Sequence, residues 1–141
     1  MELRTDKIRA CFDRKIGNFT ELWNLSTNTN YVRCAPRDPL IELYGLKNGE
    51  RVKLSGHISD EAEAPDALIL SYDSFGEYDI SAKVTCRCEQ DRLVFSAEIC
   101  NHSTIDVTEI LMPHLGGIYL GNGQKDYLIY PHHAGDKTED P

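Results

Sequence analysis

The stretch from Asp79 to Cys100 alternates apolar and polar side chains with a period of two. That pattern restricts the fold more than any other feature of the chain. Ile80, Ala82, Val84, Cys86 and Cys88 interleave with Asp79, Ser81, Lys83, Thr85, Arg87 and Glu89. Successive side chains of a strand point to opposite faces, so this run reads as a strand with one face in a core and one in water. Beyond Gln90 and Asp91 the alternation resumes, with Leu93, Phe95, Ala97 and Ile99 set between Val94, Ser96, Glu98 and Cys100. A hairpin centred between Gln90 and Asp91 sets Cys88 against Leu93, Cys86 against Phe95, Val84 against Ala97 and Ala82 against Ile99. On the other face Lys83 meets Glu98 and Glu89 meets Arg92, both favourable cross-strand pairs. A one-residue slip would set inward positions against outward ones, so the register is well specified. Gln-Asp is a weak two-residue turn signal, and a four-residue loop in the same register is equally compatible.

The same logic extends along the chain. Ile8, Ala10 and Phe12 alternate with Lys7, Arg9 and Asp13, "KIGN" turns at Gly17, and "FTELWNL" returns. "LIELYGL" and "RVKLSGHI" flank "KNGE", whose Asn48-Gly49 is the strongest hairpin turn in the sequence. "ALILSYDSF" is a further strand ending before Gly76, and "DVTEILM" and "DYLIY" complete the set. "SDEAEAPDA" is acidic and broken by Pro65, and is expected as a surface loop. No segment sustains a helical period. The expectation is an all-β, antiparallel β-sandwich of about ten short strands. Residues 1–135 would form a single domain, and 136–141 a polar tail or truncated linker.

Composition narrows the function classes. A chain of 141 residues suits one domain with a real core. Its formal charge of −8, with Lys and Arg scattered singly, argues against a nucleic-acid partner. "MELRTDKIRACFD" has no long apolar run, so neither a secretory signal nor a membrane anchor is read there. The five cysteines form no CxxC pair, and are expected as reduced thiols in a cytoplasmic protein. The triplets beginning at Asn18, Asn24 and Asn101 match a glycosylation sequon but have no secretory context to give them meaning.

Candidate chemistry is sparse. Cys86 and Cys88 share a face, yet that face points into the expected core, where thiols behave as small hydrophobes. His132 and His133 are adjacent, so on an extended segment they point opposite ways and do not chelate. No spaced His/Cys set, nucleophile elbow or phosphate-cradling glycine loop occurs, so no metal or cofactor is expected. Trp23, Tyr31, Tyr44, Tyr72, Tyr119, Tyr127 and Tyr130 include candidate stacking platforms for a sugar ring, although most should be packing residues.

Two stretches carry a family resemblance. "DKIRACFDRKIGNFTELWNLSTNTNYV" gives a strand, a Gly turn, a Leu-Trp-Asn strand end and "TNTNY". "LVFSAEICNHSTIDVTEILMPHLGGIYLGNGQKDYLIYPHHAG" gives strand, Asn-x-Ser, strand, then Met-Pro-x-Leu-x-Gly and Asp-x-Leu-x-Tyr-Pro before a closing Gly. Together they resemble the N-terminal β-sandwich of large glycoside hydrolase-like proteins, a galactose mutarotase-like supersandwich that precedes a TIM-barrel catalytic domain. The resemblance implies a non-catalytic, carbohydrate-associated module, not an enzyme in isolation, whose parent is a glycoside hydrolase. Its partners would be a carbohydrate or the C-terminal catalytic domain, with no nucleic acid and no membrane. The loops Pro113 to Gly117 and Pro131 to Gly135 would border the sugar cleft, with His114, Tyr130, His132 and His133 as contact candidates. Two alternatives stand beside it: a stand-alone aldose epimerase using His/Glu acid–base chemistry, and a ligand-free interaction domain.

Overall fold

The computed structural model describes residues 1–119 and the backbone of two later strands. The strands are, in chain order, β1 (Glu2–Arg4), β2 (Ile8–Phe12), β3 (Phe19–Asn24), β4 (Thr29–Asn30), β5 (Glu42–Lys47), β6 (Glu50–Leu54), β7 (Asp60–Ala64), β8 (Ala67–Tyr72), β9 (Ile80–Glu89), β10 (Arg92–Asn101), β11 (Asp106–Leu111), β12 (Tyr127–Tyr130) and β13 (Asp136–Glu139). The first eleven build three antiparallel sheets, ordered β1-β2-β3-β4, β10-β9-β8-β7 and β11-β5-β6. Strands β12 and β13 pair with each other. The expected domain end at residue 135 lies outside the described residues.

The β9–β10 hairpin has the register read from the sequence. Cys88 faces Leu93, Cys86 faces Phe95, Val84 faces Ala97 and Ala82 faces Ile99. The loop is the two-residue alternative, and Gln90 takes φ +55° to close it. Along β9 burial alternates strictly, with Ile80, Ala82, Val84, Cys86 and Cys88 inside. On the outer side Glu89 and Arg92 form an ion pair at 2.9 Å. The β5–β6 hairpin turns at Asn48-Gly49, and both residues adopt positive φ, which is the conformation Asn-Gly is suited to.

The segment expected as an acidic loop is instead strand β7, paired with β8 from Asp60↔Ser71 to Ala64↔Ala67. It lies at the edge of its sheet, so its polar side chains stay in water while its backbone pairs on one side only. Pro65 does not break the strand. It sits in the two-residue link to β8, where its missing N–H costs nothing to the ladder.

All three sheets feed one core. Leu3, Ala10, Phe12 and Phe19 come from the first sheet, Leu68, Leu70 and Val84 from the second, and Leu43 and Leu54 from the third. Each such fully buried large side chain contributes about 1.5–3 kcal/mol over its exposed state. The two four-stranded sheets meet directly, with β1 against β8 and β9. Phe19 is the pivot: its ring packs on Phe12 at 4.8 Å and meets Phe95 edge-on at 6.1 Å. A register irregularity at Cys11/Phe12 brings Phe12 opposite Phe19 and so sets up that contact.

Candidate functional site

A cleft of about 590 Å³ opens between the β2–β3 pair and the turn end of the β9–β10 hairpin. It lies within the size range usual for small-ligand sites. Phe19 and Phe95 form its floor, Ile8, Leu22 and Leu93 continue the apolar lining, and Trp23 and Tyr31 complete the wall on the β3 side. Local hydrogen bonding fixes the turn that carries Tyr31 to the cleft. The side-chain oxygen of Asn24 accepts from the N–H groups of Ser26 (3.0 Å) and Thr27 (3.3 Å), turning the chain after β3. The Asn30 side chain then accepts from the N–H of Leu22 at 3.0 Å, and the Tyr31 N–H donates to the Leu22 carbonyl at 2.8 Å. Tyr31 is thereby held beside Leu22.

The Trp23 indole is fixed on the face of β3 opposite Leu22, the face it shares with Glu21. Trp23 Nε1 donates to Glu21 Oε2 at 2.9 Å, and Arg9 holds the same carboxylate at 3.2 Å. The rim is polar, built from Lys7, Asn24, Ser26, Asp91 and Arg92. Lys7 Nζ and Asp91 Oδ2 lie 3.8 Å apart, both well exposed. An exposed pair at that distance is worth little, so both groups remain free to exchange partners. An apolar, aromatic interior under a ring of hydrogen-bonding groups suits a ligand that has a C–H face and a polar perimeter.

Of the expected contact residues, His114 is described with its side chain, and it does not line this cleft. His114 is held by backbone bonds, its N–H donating to the Leu40 carbonyl (2.8 Å) and its carbonyl accepting from Asn18 Nδ2 (2.8 Å). Its Nδ1 is buried, 3.6 Å from Glu42 Oε1. The neighbour Leu115 does line the aromatic cleft, so the loop from Pro113 to Gly117 reaches it through a different residue. For Tyr130 only the strand backbone is described, and His132 and His133 lie outside the described residues.

Of the aromatic candidates, Trp23 and Tyr31 are in the cleft. Tyr44 lies under the Arg51 guanidinium at 3.6 Å, Tyr72 is fully buried, and Tyr119 is exposed beside Arg33. The side chains of Tyr127 and Tyr130 are not described.

One charged cluster was not foreseen. Glu42 is buried to 3 % exposure, yet it is ionised. Burial pushes its carboxyl upward. The Lys53 ammonium and the Tyr44 hydroxyl, which donates at 2.9 Å, outweigh that and leave it below the ordinary value. The signal was present: the two-residue Asn48-Gly49 turn dictates Tyr44↔Lys53, and Glu42 shares the Tyr44 face. With its oxygens occupied by Lys53 and Tyr44, Glu42 has the character of a structural anion.

Cys86 and Cys88 are core thiols, and burial pushes Cys86 up to about 12. All five cysteines are unpaired. Asn18 of the first sequon is fully buried, bonded to Asp38, His114 and Phe19. Asn24 and Asn101 of the other two cap local turns. Among the described residues no group of three His, Cys, Asp or Glu is placed to hold a metal, and no helix is long and apolar enough to cross a membrane. Compared with protein-family models, curated proteins and solved structures, the chain matches none.

Proposed function

We propose that this chain is a non-catalytic, carbohydrate-binding β-module, and that a sugar ring occupies the cleft floored by Phe19 and Phe95 and flanked by Tyr31. What supports this reading is the apolar floor of Phe19, Leu22 and Phe95 with Tyr31 beside it under a polar rim. A pyranose offers an apolar C–H face to the aromatic side and hydroxyls to Asn24, Ser26 and Asp91. The antiparallel sheets sharing one core are compatible with a galactose mutarotase-like supersandwich preceding a glycoside hydrolase barrel. In that arrangement the catalytic carboxylates belong to the barrel. Five free thiols favour a reducing, cytoplasmic setting. An aldose epimerase would need a His and a carboxylate facing a sugar from two sides. The described pair, His114 and Glu42, sits within 3.6 Å of each other with Glu42 buried, which disfavours that use.

Trp23 is the only tryptophan in the chain and borders the cleft, so its emission is a probe local to this end of the sheet. Titration with glucose, galactose and their β- and α-linked oligomers should change that emission saturably in the millimolar range. By NMR titration, Tyr31→Ala should weaken binding about tenfold, the loss of one good stacking contact. Emission and amide shifts that stay flat to tens of millimolar for every sugar would end the proposal.

A further inference from the structure

A second cleft, of about 210 Å³, shares no lining residue with the aromatic one. Its chemistry is opposite in kind. Lys15, Arg37 and Lys53 line it with His57, against the carboxylates of Asp38 and Glu42. Glu42 is neutralised by Lys53, which leaves Lys15 and Arg37 facing the cleft with Asp38 as the remaining anion. This is a local excess of positive charge on a chain of net charge −8.

The cleft also has a polar floor. Tyr72 lines it and is 2 % exposed, and its hydroxyl is buried with no hydrogen-bond partner among the described residues. That hydroxyl lies beside Gly17, at the end of the turn that carries Lys15 and Ile16 along the cleft wall. The turn is braced by Asp13, whose carboxylate accepts from the N–H groups of Lys15 at 2.7 Å and Ile16 at 3.0 Å. A buried hydroxyl without a partner is costly, and its site is one that a ligand acceptor would satisfy. Burial also raises Tyr72 to about 12, so at neutral pH it is a donor.

We propose that this cleft binds a small oxyanion, the phosphate, sulfate or carboxylate group of a ligand, between Arg37 and Lys15, with the Tyr72 hydroxyl donating from the floor. Arg37 offers the planar fork that suits an oxyanion, and Lys15 a point charge. The site is separate from the sugar cleft and stands or falls without it.

The test is an amide-resolved NMR titration of the whole chain with inorganic phosphate and with sulfate, at ionic strength held constant by NaCl. Amides of Ile16, Ser55, Gly56 and His57 should shift saturably, and chloride alone should not move them. Lys15→Ala/Arg37→Ala, both at exposed positions, should weaken binding about tenfold or more. Tyr72→Phe should weaken it severalfold without lowering the melting temperature, because the hydroxyl has no partner to lose among the described residues. A parallel arm compares glucose 6-phosphate with glucose. Equal affinity for glucose 6-phosphate and phosphate assigns the site to the free ion, and tighter glucose 6-phosphate binding assigns it to a phosphorylated ligand. Shifts that are linear, reproduced by chloride, or unchanged in Lys15→Ala/Arg37→Ala overturn the proposal, as does full affinity in Tyr72→Phe.

Discussion

Glu42 shows how one buried charge is made tolerable. A carboxylate in a core is costly unless donors replace its water, and here the donors come from the facing hairpin strand and from two residues along its own. Lys53→Met removes the charged donor while keeping the aliphatic stem. It should destabilise the fold by about 1–3 kcal/mol, the cost of an under-satisfied buried group, read from urea unfolding at neutral pH. The acid dependence has a definite sign. The folded carboxyl lies below its ordinary 4.5, so its contribution is complete above that value and is lost as the pH falls through the folded one. Glu42→Gln should therefore flatten the loss of stability below pH 4.5, and an acid limb as steep as that of the parent chain would contradict the assignment. The identity of this cluster was within reach of the sequence, because the Asn48-Gly49 turn fixes Tyr44↔Lys53. What alternation alone leaves open is whether a polar position on a mixed face is covered by a neighbouring loop, as His114 covers this one.

At the level of elements, local pattern decides where one face is dry. The β9–β10 register was legible down to each pair because every inward residue of β9 is buried and any slip would expose them. Strand β7 was not legible, since an edge strand with all-polar or small side chains carries no period, and its existence depends on pairing with β8. Close approach between elements was equally hidden. Gly56 bridges to Phe75, and a Cβ there would sit 2.6 Å from the ring of a side chain that is fully buried. Gly56→Ala should cost about 1–3 kcal/mol by overpacking. Gly49 has open space around it but φ +83°, so Gly49→Ala should cost only about 1–2 kcal/mol, from backbone strain. Thermal or urea unfolding of the two variants checks this, and a Gly56→Ala chain as stable as the parent would contradict the packing account.

For the molecule as a whole, the aromatic cleft is a product of tertiary assembly. Trp23 and Tyr31 come from one sheet and its turn, Phe95 from another, and Leu115 from a loop some twenty residues further on. The sequence identified the ring types as candidates but had no means of selecting two of seven, because the contact between β3 and β10 is long-range. His114 illustrates the converse: a histidine in a glycine-rich loop invites a functional reading, while its backbone is used to tie that loop to Leu40 and Asn18. The whole-molecule arrangement has one further outcome, which concerns crowding. An open sheet presents a free row of amides and carbonyls, and β7 is such a row. Its Asp60, Glu61 and Glu63 make this border anionic, only partly offset by Arg14, which reaches Glu61 and lies 3.8 Å from Glu63. Two copies approaching border to border repel each other, so the acidic fringe acts as a colloidal guard against end-on polymerisation. Protonating it, or raising the salt to about 1 M where charges are screened beyond roughly 3 Å, should let chains join into thioflavin-positive assemblies that light scattering detects.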